Sequence, residues 1–191
     1  GAEGTTVLPA ELRILEPLLE RLLPGVERVF ADFLQSTFEQ PYDGVVLVPP
    51  LSLQLSGDQL DGFALARRGG KVRSRVPAEI LFVEHALAAM ADGAILIAVL
   101  PEGLLSSAGH AHFREWLLEH ARLVAVISLP AGTCFRGTGV KCSVVVLRKP
   151  APAADYPILM IDVEAADLID DIEAARWKLD EFIKREETAC E

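Results

Sequence analysis

Apolar positions change their period several times along this chain, and each change marks an element. In PAELRILEPLLERLL, Leu12, Leu15, Leu19 and Leu22 fall on one face at helical spacing, which predicts a helix that stops before Pro24-Gly25. VERVFADFL and GVVLVPP read as strands. AEILFVEHALAAMADG reads as a helix ending at Gly93, and AILIAVLP as a strand that is apolar on both faces, the pattern of a strand buried between layers. A helix (HAHFREWLLEHA), a third buried strand (LVAVISLP), a glycine-rich loop (AGTCFRGTGVK) and the strand CSVVVLRK follow. The order β-α-β-β-α-β-α-β-β predicts an open α/β sheet covered on both faces. In such sheets ligands sit beyond the carboxyl ends of the strands. Pro49-Pro50 stands at one of those ends, where proline stops the ladder and restricts the residue before it.

The pattern shifts after Lys149. KPAPAADYP reads as a linker, ILMIDV as one more strand, and AADLIDDIEAARWKLDEFIKREETACE as a charged helix with Leu168, Ile172, Leu179 and Ile183 as its apolar stripe. The expected division is an α/β domain over residues 1–150, followed by the linker, strand and charged helix of residues 151–191. No internal repeat is visible.

Composition narrows the class. With 191 residues, 51% of them hydrophobic, and a mean hydropathy of +0.31, the chain can bury a substantial core. No apolar run is long enough to span a bilayer and the N-terminus carries no signal pattern, so a cytoplasmic location without membrane contact is the expectation. Cys134, Cys142 and Cys190 are odd in number and lack CxxC spacing, which argues against a disulfide framework or a zinc knuckle; Cys134 and Cys142 read as small apolar fillers. Acidic residues outnumber basic ones, 28 to 18, so the net charge of −10 argues against a surface built throughout for polyanions. Any basic patch must be local. ARRGGKVRSR supplies one in Arg67, Arg68, Lys71, Arg73 and Arg75: either a loop that meets phosphates without reading sequence, or a solvated loop that balances nearby acids. Its Gly-Gly-Lys lacks P-loop spacing. His110 and His112 have no third ligand at suitable spacing, so no metal is expected, and Trp116 and Leu117 read as core.

PYDGVVLVPPL, RVPAEILFVEHALAAMADGAILIAVLPEGLLSS, FREWLLEHARLVAVISLP and FRGTGVKCSVVVLRK follow one another between Ala31 and Lys149. In that succession the chain resembles the adenine-N6 DNA methylases, particularly the modification-subunit type of type I restriction systems. The resemblance implies a class I S-adenosylmethionine-dependent methyltransferase-like (Rossmann-like) doubly wound sheet, mostly parallel with an antiparallel last strand. In the family a strand ends in Asn-Pro-Pro followed by an aromatic residue; the rigid turn aims an amide oxygen and a backbone carbonyl at the exocyclic amine of a flipped-out adenine, and the aromatic stacks on the base. Here the motif is Val48-Pro49-Pro50-Leu51, with no acceptor at Val48 and no π face at Leu51. Loss of one such preorganised group costs about two to three powers of ten in rate, and loss of a stacking aromatic about 1–3 kcal/mol.

For the cofactor, the family places a GxG turn after its first strand, which nothing from Gly1 to Gly25 matches, so that strand is expected to be missing here; Gly1 and Gly4 follow no apolar strand. Thr6 stands near the place of the family's ribose-binding acid, and Glu11 should lie on the helix instead. Asp32 and Phe33 match a further contact, in which the acid accepts from the cofactor's adenine amine and an apolar neighbour flanks the ring. Gly137 and Gly139 match glycines that shape a tight turn into a strand. The implied protein is a methylase-type domain of a restriction-modification or related DNA-processing system, degenerate in catalysis and serving a structural or regulatory role. It has S-adenosylmethionine as its cofactor by resemblance, DNA reached together with other subunits, and a protein partner or second copy met through the C-terminal helix or an exposed sheet edge. Two alternatives stay open: an active S-adenosylmethionine-dependent methyltransferase with Asp32 at the cofactor and the Pro49 carbonyl at the acceptor, and a nucleotide-binding module on the same fold.

Overall fold

The computed structural model describes residues 4–8, 26–30, 32–38, 41–134, 139–151, 155–164 and 168–189, with the backbone alone for 4–8, 26–30, 168–169 and 186–189. The chain divides into two compact units, Gly1–Gln40 and Pro41–Glu191. In the first, β1 (Gly4–Leu8) and β2 (Val26–Phe30) pair in parallel, from Gly4 opposite Val26 to Leu8 opposite Phe30. The helix predicted over residues 9–23 lies outside the described residues. Strand β2 is shorter than VERVFADFL suggests. It stops at Phe30, and Phe33–Gln35 form a 3₁₀ turn capped by Asp32.

The second unit is built on a five-stranded sheet in the order β11-β9-β10-β8-β3. Strand β3 (Tyr42–Leu47) is followed by two small hairpin pairs: β4 (Gln54–Leu55) with β7 (Val76–Pro77), and β5 (Arg67–Arg68) with β6 (Lys71–Val72). Then come α1 (Ala78–Ala88), β8 (Met90–Pro101), α2 (Glu102–Ser106), α3 (Ala111–His120), β9 (Arg122–Ser128), β10 (Cys142–Arg148), β11 (Leu159–Asp162) and α4 (Leu168–Ala189). Strand β3 runs parallel to β8 and β11 parallel to β9, while β10 opposes both of its neighbours. Four strands therefore share one direction. The antiparallel member, CSVVVLRK, lies inside the sheet between β8 and β9, and ILMIDV adds an outer strand after it.

The apolar runs have their cause in this arrangement. Along β8, Ala94, Leu96, Ala98 and Leu100 are buried on one face, and Ile95 and Ile97 on the other are half-buried against the cluster of Val124, Ala125 and Val146. Helix α1 ends at Ala88, not at Gly93. The Tyr42 N–H already donates to the Ala89 carbonyl at 2.9 Å, and Met90 pairs with Tyr42, so these residues belong to the sheet. Gly93, at φ +85, bends the strand and donates its N–H to the Lys149 carbonyl. Lys149 Nζ in turn donates to the carbonyls of Leu87 (3.3 Å) and Met90 (2.9 Å), holding the helix end.

Helix α4 packs on β9 and β11 of its own sheet. Ala175 is buried with Ile127, Leu129 and Val163, and Leu179, Phe182 and Ile183 meet Val124, Ala125 and Val146. The stripe predicted through Ile172 holds only in its second half, for Ile172 is 44% exposed and Trp177 64%. The side chain of Leu168 lies outside the described residues. Trp116, expected in the core, is half-buried and stacked on His120, whereas Leu117 is buried as expected. Among the described residues Phe113 is the largest fully buried side chain, on the helix that packs against β9. Phe113→Ala is therefore expected to lower the unfolding free energy by about 3–5 kcal/mol in urea titration, while a loss below about 1 kcal/mol would mean that the site collapses around the cavity.

Candidate functional site

The carboxyl end of β3 delivers Val48-Pro49-Pro50-Leu51. Pro49 is fully buried, Leu51 half-buried, and Val48 60% exposed. The chain then turns through Ser52, at φ +63, a left-handed conformation that a residue with a Cβ keeps only when its surroundings hold it. The holder is a carboxylate: the Ser52 N–H donates to Glu79 Oε1 at 2.8 Å. Glu79 sits in the first turn of α1 and is 3% exposed; its Oε2 is buried without a partner. The Ala78 N–H donates to the Leu53 carbonyl at 2.8 Å, next to the β4–β7 pair. Further along the loop, Glu84 of α1 accepts from the Ala64 N–H at 2.6 Å and the Leu65 N–H at 2.9 Å, one on each oxygen. Two carboxylates of one helix thus fix the segment that follows the Pro-Pro turn. Reading by period missed both, although an acid inside the apolar run AEILFV was a signal of a buried partner. At the turn itself, the Val48 and Leu51 side chains offer apolar surface with neither an acceptor nor an aromatic ring.

The basic segment is a hairpin. Arg67 pairs with Val72 and Arg68 with Lys71, across a turn in which Gly69 (φ +58) and Gly70 (φ +78) both occupy the left-handed region. Arg67, Arg68, Lys71 and Arg75 are exposed, and among the described residues none of the five cations makes an ion pair. Arg73 is half-buried, and its Nη1 lies 2.9 Å from His112 Nε2. His112 is held below its ordinary pKa by burial first, then by Arg73, Arg68 and His110, with Glu115 opposing. His110 is lowered by burial, Arg73 and Arg114, with Glu79 opposing. Burial, with Arg68, also lowers Arg73. The hairpin, the start of α3 and the buried acid of α1 therefore share one electrostatic neighbourhood. Among the described residues no three His, Cys, Asp or Glu side chains cluster as a metal site would require. Cys142 is buried beside Cys134, and burial pushes its thiol up to about 11, which keeps it protonated and unreactive.

Asp32 and Phe33 belong to the first unit. Asp32 is exposed; its Oδ1 accepts from the Leu34 N–H at 3.0 Å, and its carbonyl accepts from the Ser36 hydroxyl at 2.9 Å. The Phe33 and Phe38 rings are 5.9 Å apart. The acid caps its own turn and retains a second oxygen, an arrangement compatible with accepting an amine beside an apolar ring. Of the cofactor positions considered in the sequence, Gly1, Glu11 and Gly137 lie outside the described residues, Thr6 lies on β1, and Gly139 is exposed.

A family model described as N-6 DNA Methylase matches residues 27–189. A comparison with curated proteins returned no match. Among solved structures, the chain is similar to a Listeria monocytogenes protein named as a class I S-adenosylmethionine-dependent methyltransferase, with a TM-score of 0.75 and 16% identity over 95% of this chain and 56% of that one. It is similar to the methyltransferase subunit of a type I restriction-modification system from Streptococcus thermophilus, with a TM-score of 0.70 and 21% identity over 94% of this chain and 42% of that one. It is also similar to a modification subunit of a type I restriction enzyme from Vibrio vulnificus, with a TM-score of 0.64 and 18% identity over 86% of this chain and 36% of that one. The chain spans less than two thirds of each of these structures. The likenesses show the fold, a mixed and mostly parallel sheet of the class I methyltransferase kind.

Removing the acceptor of two loop amides should be felt in stability. Glu84→Ala is expected to destabilise the protein by about 1–3 kcal/mol in urea titration, and an unchanged midpoint would show that water replaces the carboxylate. The histidines set a pH dependence. Because both are depressed in the folded chain, the unfolded chain binds more protons below 6.5, so this contribution to stability is lost as pH falls from 6.5 toward the folded values. The thermal midpoint of the wild type should therefore fall more steeply between about pH 7 and about pH 5.5 than that of His110→Asn/His112→Asn; equal slopes would refute this assignment.

Proposed function

Since the chain belongs to the N-6 DNA methylase family, we propose that it is the adenine-methylase-type domain of a restriction-modification system, acting on DNA with other subunits, and that its own acceptor site no longer transfers methyl groups. The observation that carries this reading is Val48, an apolar side chain 60% exposed at the mouth of β3, where the chemistry requires a fixed acceptor for an amine. Nitrogen attack on a sulfonium methyl group needs the amine oriented and its developing positive charge stabilised. Valine does neither, and Leu51 gives the base no π surface. Pro49 packing and the Ser52–Glu79 hydrogen bond preserve the shape of the turn without its chemistry. A structural or regulatory role within the assembly follows, in the cytoplasm where such systems meet DNA. The similarity to subunits named as parts of type I restriction-modification systems supports the choice of system.

S-adenosylmethionine supplies an electrophilic methyl group when bound. In this chain Asp32 would accept from its adenine amine through the oxygen not used in the turn cap, and Phe33 would flank the ring. A second reading, an active methyltransferase, draws on the intact anchoring of the Pro-Pro turn and on Asp32.

Two measurements on the full chain separate these readings: calorimetric titration of S-adenosylmethionine, and transfer of its labelled methyl group to unmethylated duplex DNA. Expected is transfer at least about 100-fold below that of an intact methylase, with or without cofactor binding. Saturable binding that Asp32→Ala weakens would assign the cofactor half. Transfer at a normal rate that Asp32→Ala abolishes would overturn the degenerate reading.

A further inference from the structure

From Gly62 to Ala78 the chain carries no acidic residue, although its net charge is −10. Within that stretch, the β5–β6 hairpin presents Arg67, Arg68 and Lys71 to solvent around a turn of two glycines. With no Cβ at Gly69 or Gly70 the backbone is open to close approach, and nothing lies within 4 Å of where either Cβ would stand. Arg73 returns toward α3. Because arginine only donates, His112 Nε2 must accept from it at 2.9 Å, so the ring is neutral and carries its proton on Nδ1. That Nδ1 is buried without a partner, as is the Nδ1 of His110.

We propose that the β5–β6 hairpin and the start of α3 form one binding surface for the phosphodiester backbone of duplex DNA, in which Arg67, Arg68 and Lys71 contact phosphates and Arg73, held by His112 Nε2 in the free protein, turns to an incoming phosphate and leaves that nitrogen free to take up a proton. The proposal rests on DNA as the partner and is independent of whether methyl transfer survives. Unpaired arginines and a lysine on a two-glycine hairpin offer point charges in place of an apolar anchor, which suits backbone contact and gives no base readout. An incoming phosphate attracts the Arg73 guanidinium and adds negative charge beside rings that burial first, and then the surrounding cations, hold toward the neutral form. The groups that set this balance are Arg68 and Arg73 on the hairpin side, His110, Arg114 and Glu115 around α3, and Glu79 on α1. Both histidines are depressed largely by burial and by Arg73, so phosphate at Arg73 opposes part of that shift and couples binding to proton uptake.

The test measures binding of a short labelled duplex to the full chain as a function of salt and pH. In the wild type, affinity should tighten by up to about tenfold per unit as pH falls from about 6.5 toward about 5, below the ordinary histidine value, and stay nearly constant above about 7. In R67Q/R68Q/K71Q the slope of log affinity against log salt should shrink by about three, near 0.9 for each lost contact. His112→Asn should keep most of the salt slope and lose most of the gain at low pH. Thermal midpoints confirm that each variant is folded, and the exposure of Arg67, Arg68 and Lys71 makes the triple variant safe in this respect. If the wild type binds and the triple variant binds with the same slope, this surface is wrong while DNA stands as the partner. If His112→Asn retains the full pH gain, the positioning role is wrong. If the wild type does not bind duplex even at low salt, the reading of DNA as a direct partner of this chain fails with it.

Discussion

Strand β8 lends its backbone to two neighbours of opposite sense, β3 running with it and β10 against it, and its two apolar faces leave little water to replace a lost partner. That constraint sets the positions of the other elements of the second unit. Parallel pairing of β3 with β8 brings the turn after Leu47 to the same end of the sheet as the start of α2 after Pro101. Antiparallel pairing of β10 brings Cys142 opposite Pro101 and Ser143 opposite Ser128, so the loop between β9 and β10 returns to that end as well. There the Glu102 N–H donates to the Lys141 carbonyl at 2.9 Å, and Lys141 Nζ lies 3.5 Å from Glu102 and 3.9 Å from Asp162. Exposed ion pairs of this kind contribute little; the backbone ladder does the positioning.

Scaffold and chemistry at the Pro-Pro turn rest on different atoms, and so they can part company. The turn is shaped by Pro49 packing, by the Ser52 N–H on Glu79 and by the Ala78 N–H on Leu53. None of these groups belongs to the Val48 or Leu51 side chain. The side chains of Val48 and Leu51 can therefore differ from an amide and an aromatic ring without the loss of a contact that holds the loop.

Charge is distributed with the same economy. An acidic chain places three cations on one short hairpin, and Arg73, which follows it, is tethered to a histidine that must be neutral to receive it. Burial and like charge work in the same direction on His110 and His112. The hairpin lies on the loop that the α1 carboxylates fasten, so the electrostatic feature and the methylase-like turn share a single support.

Period and composition alone determined that GVVLVPP, AILIAVLP, LVAVISLP and CSVVVLRK are strands, because burial within a sheet leaves an apolar run that survives in any single sequence; GVVLVPP carries such a run but lies at the sheet's edge, where Val46 is 76% exposed, so cover on both faces does not hold for it. The resemblance to adenine methylases was legible for the same reason, as an ordered succession of such runs around Pro49-Pro50. Tertiary structure decided the rest. Helix α1 stops at Ala88 because Met90 pairs with Tyr42, a partner distant in sequence, and the stripe of α4 runs through Ala175 and Phe182 because the sheet, not the helix, chooses the buried face. The links from Ser52 to Glu79, from Ala64 to Glu84 and from Arg73 to His112 cross 27, 20 and 39 positions. No local period encodes such contacts. They exist only once the sheet has closed and brought β3, the hairpin, α1 and α3 to one place, since a hydrogen bond depends on distance in space and a hydrophobic period only on the neighbouring residues.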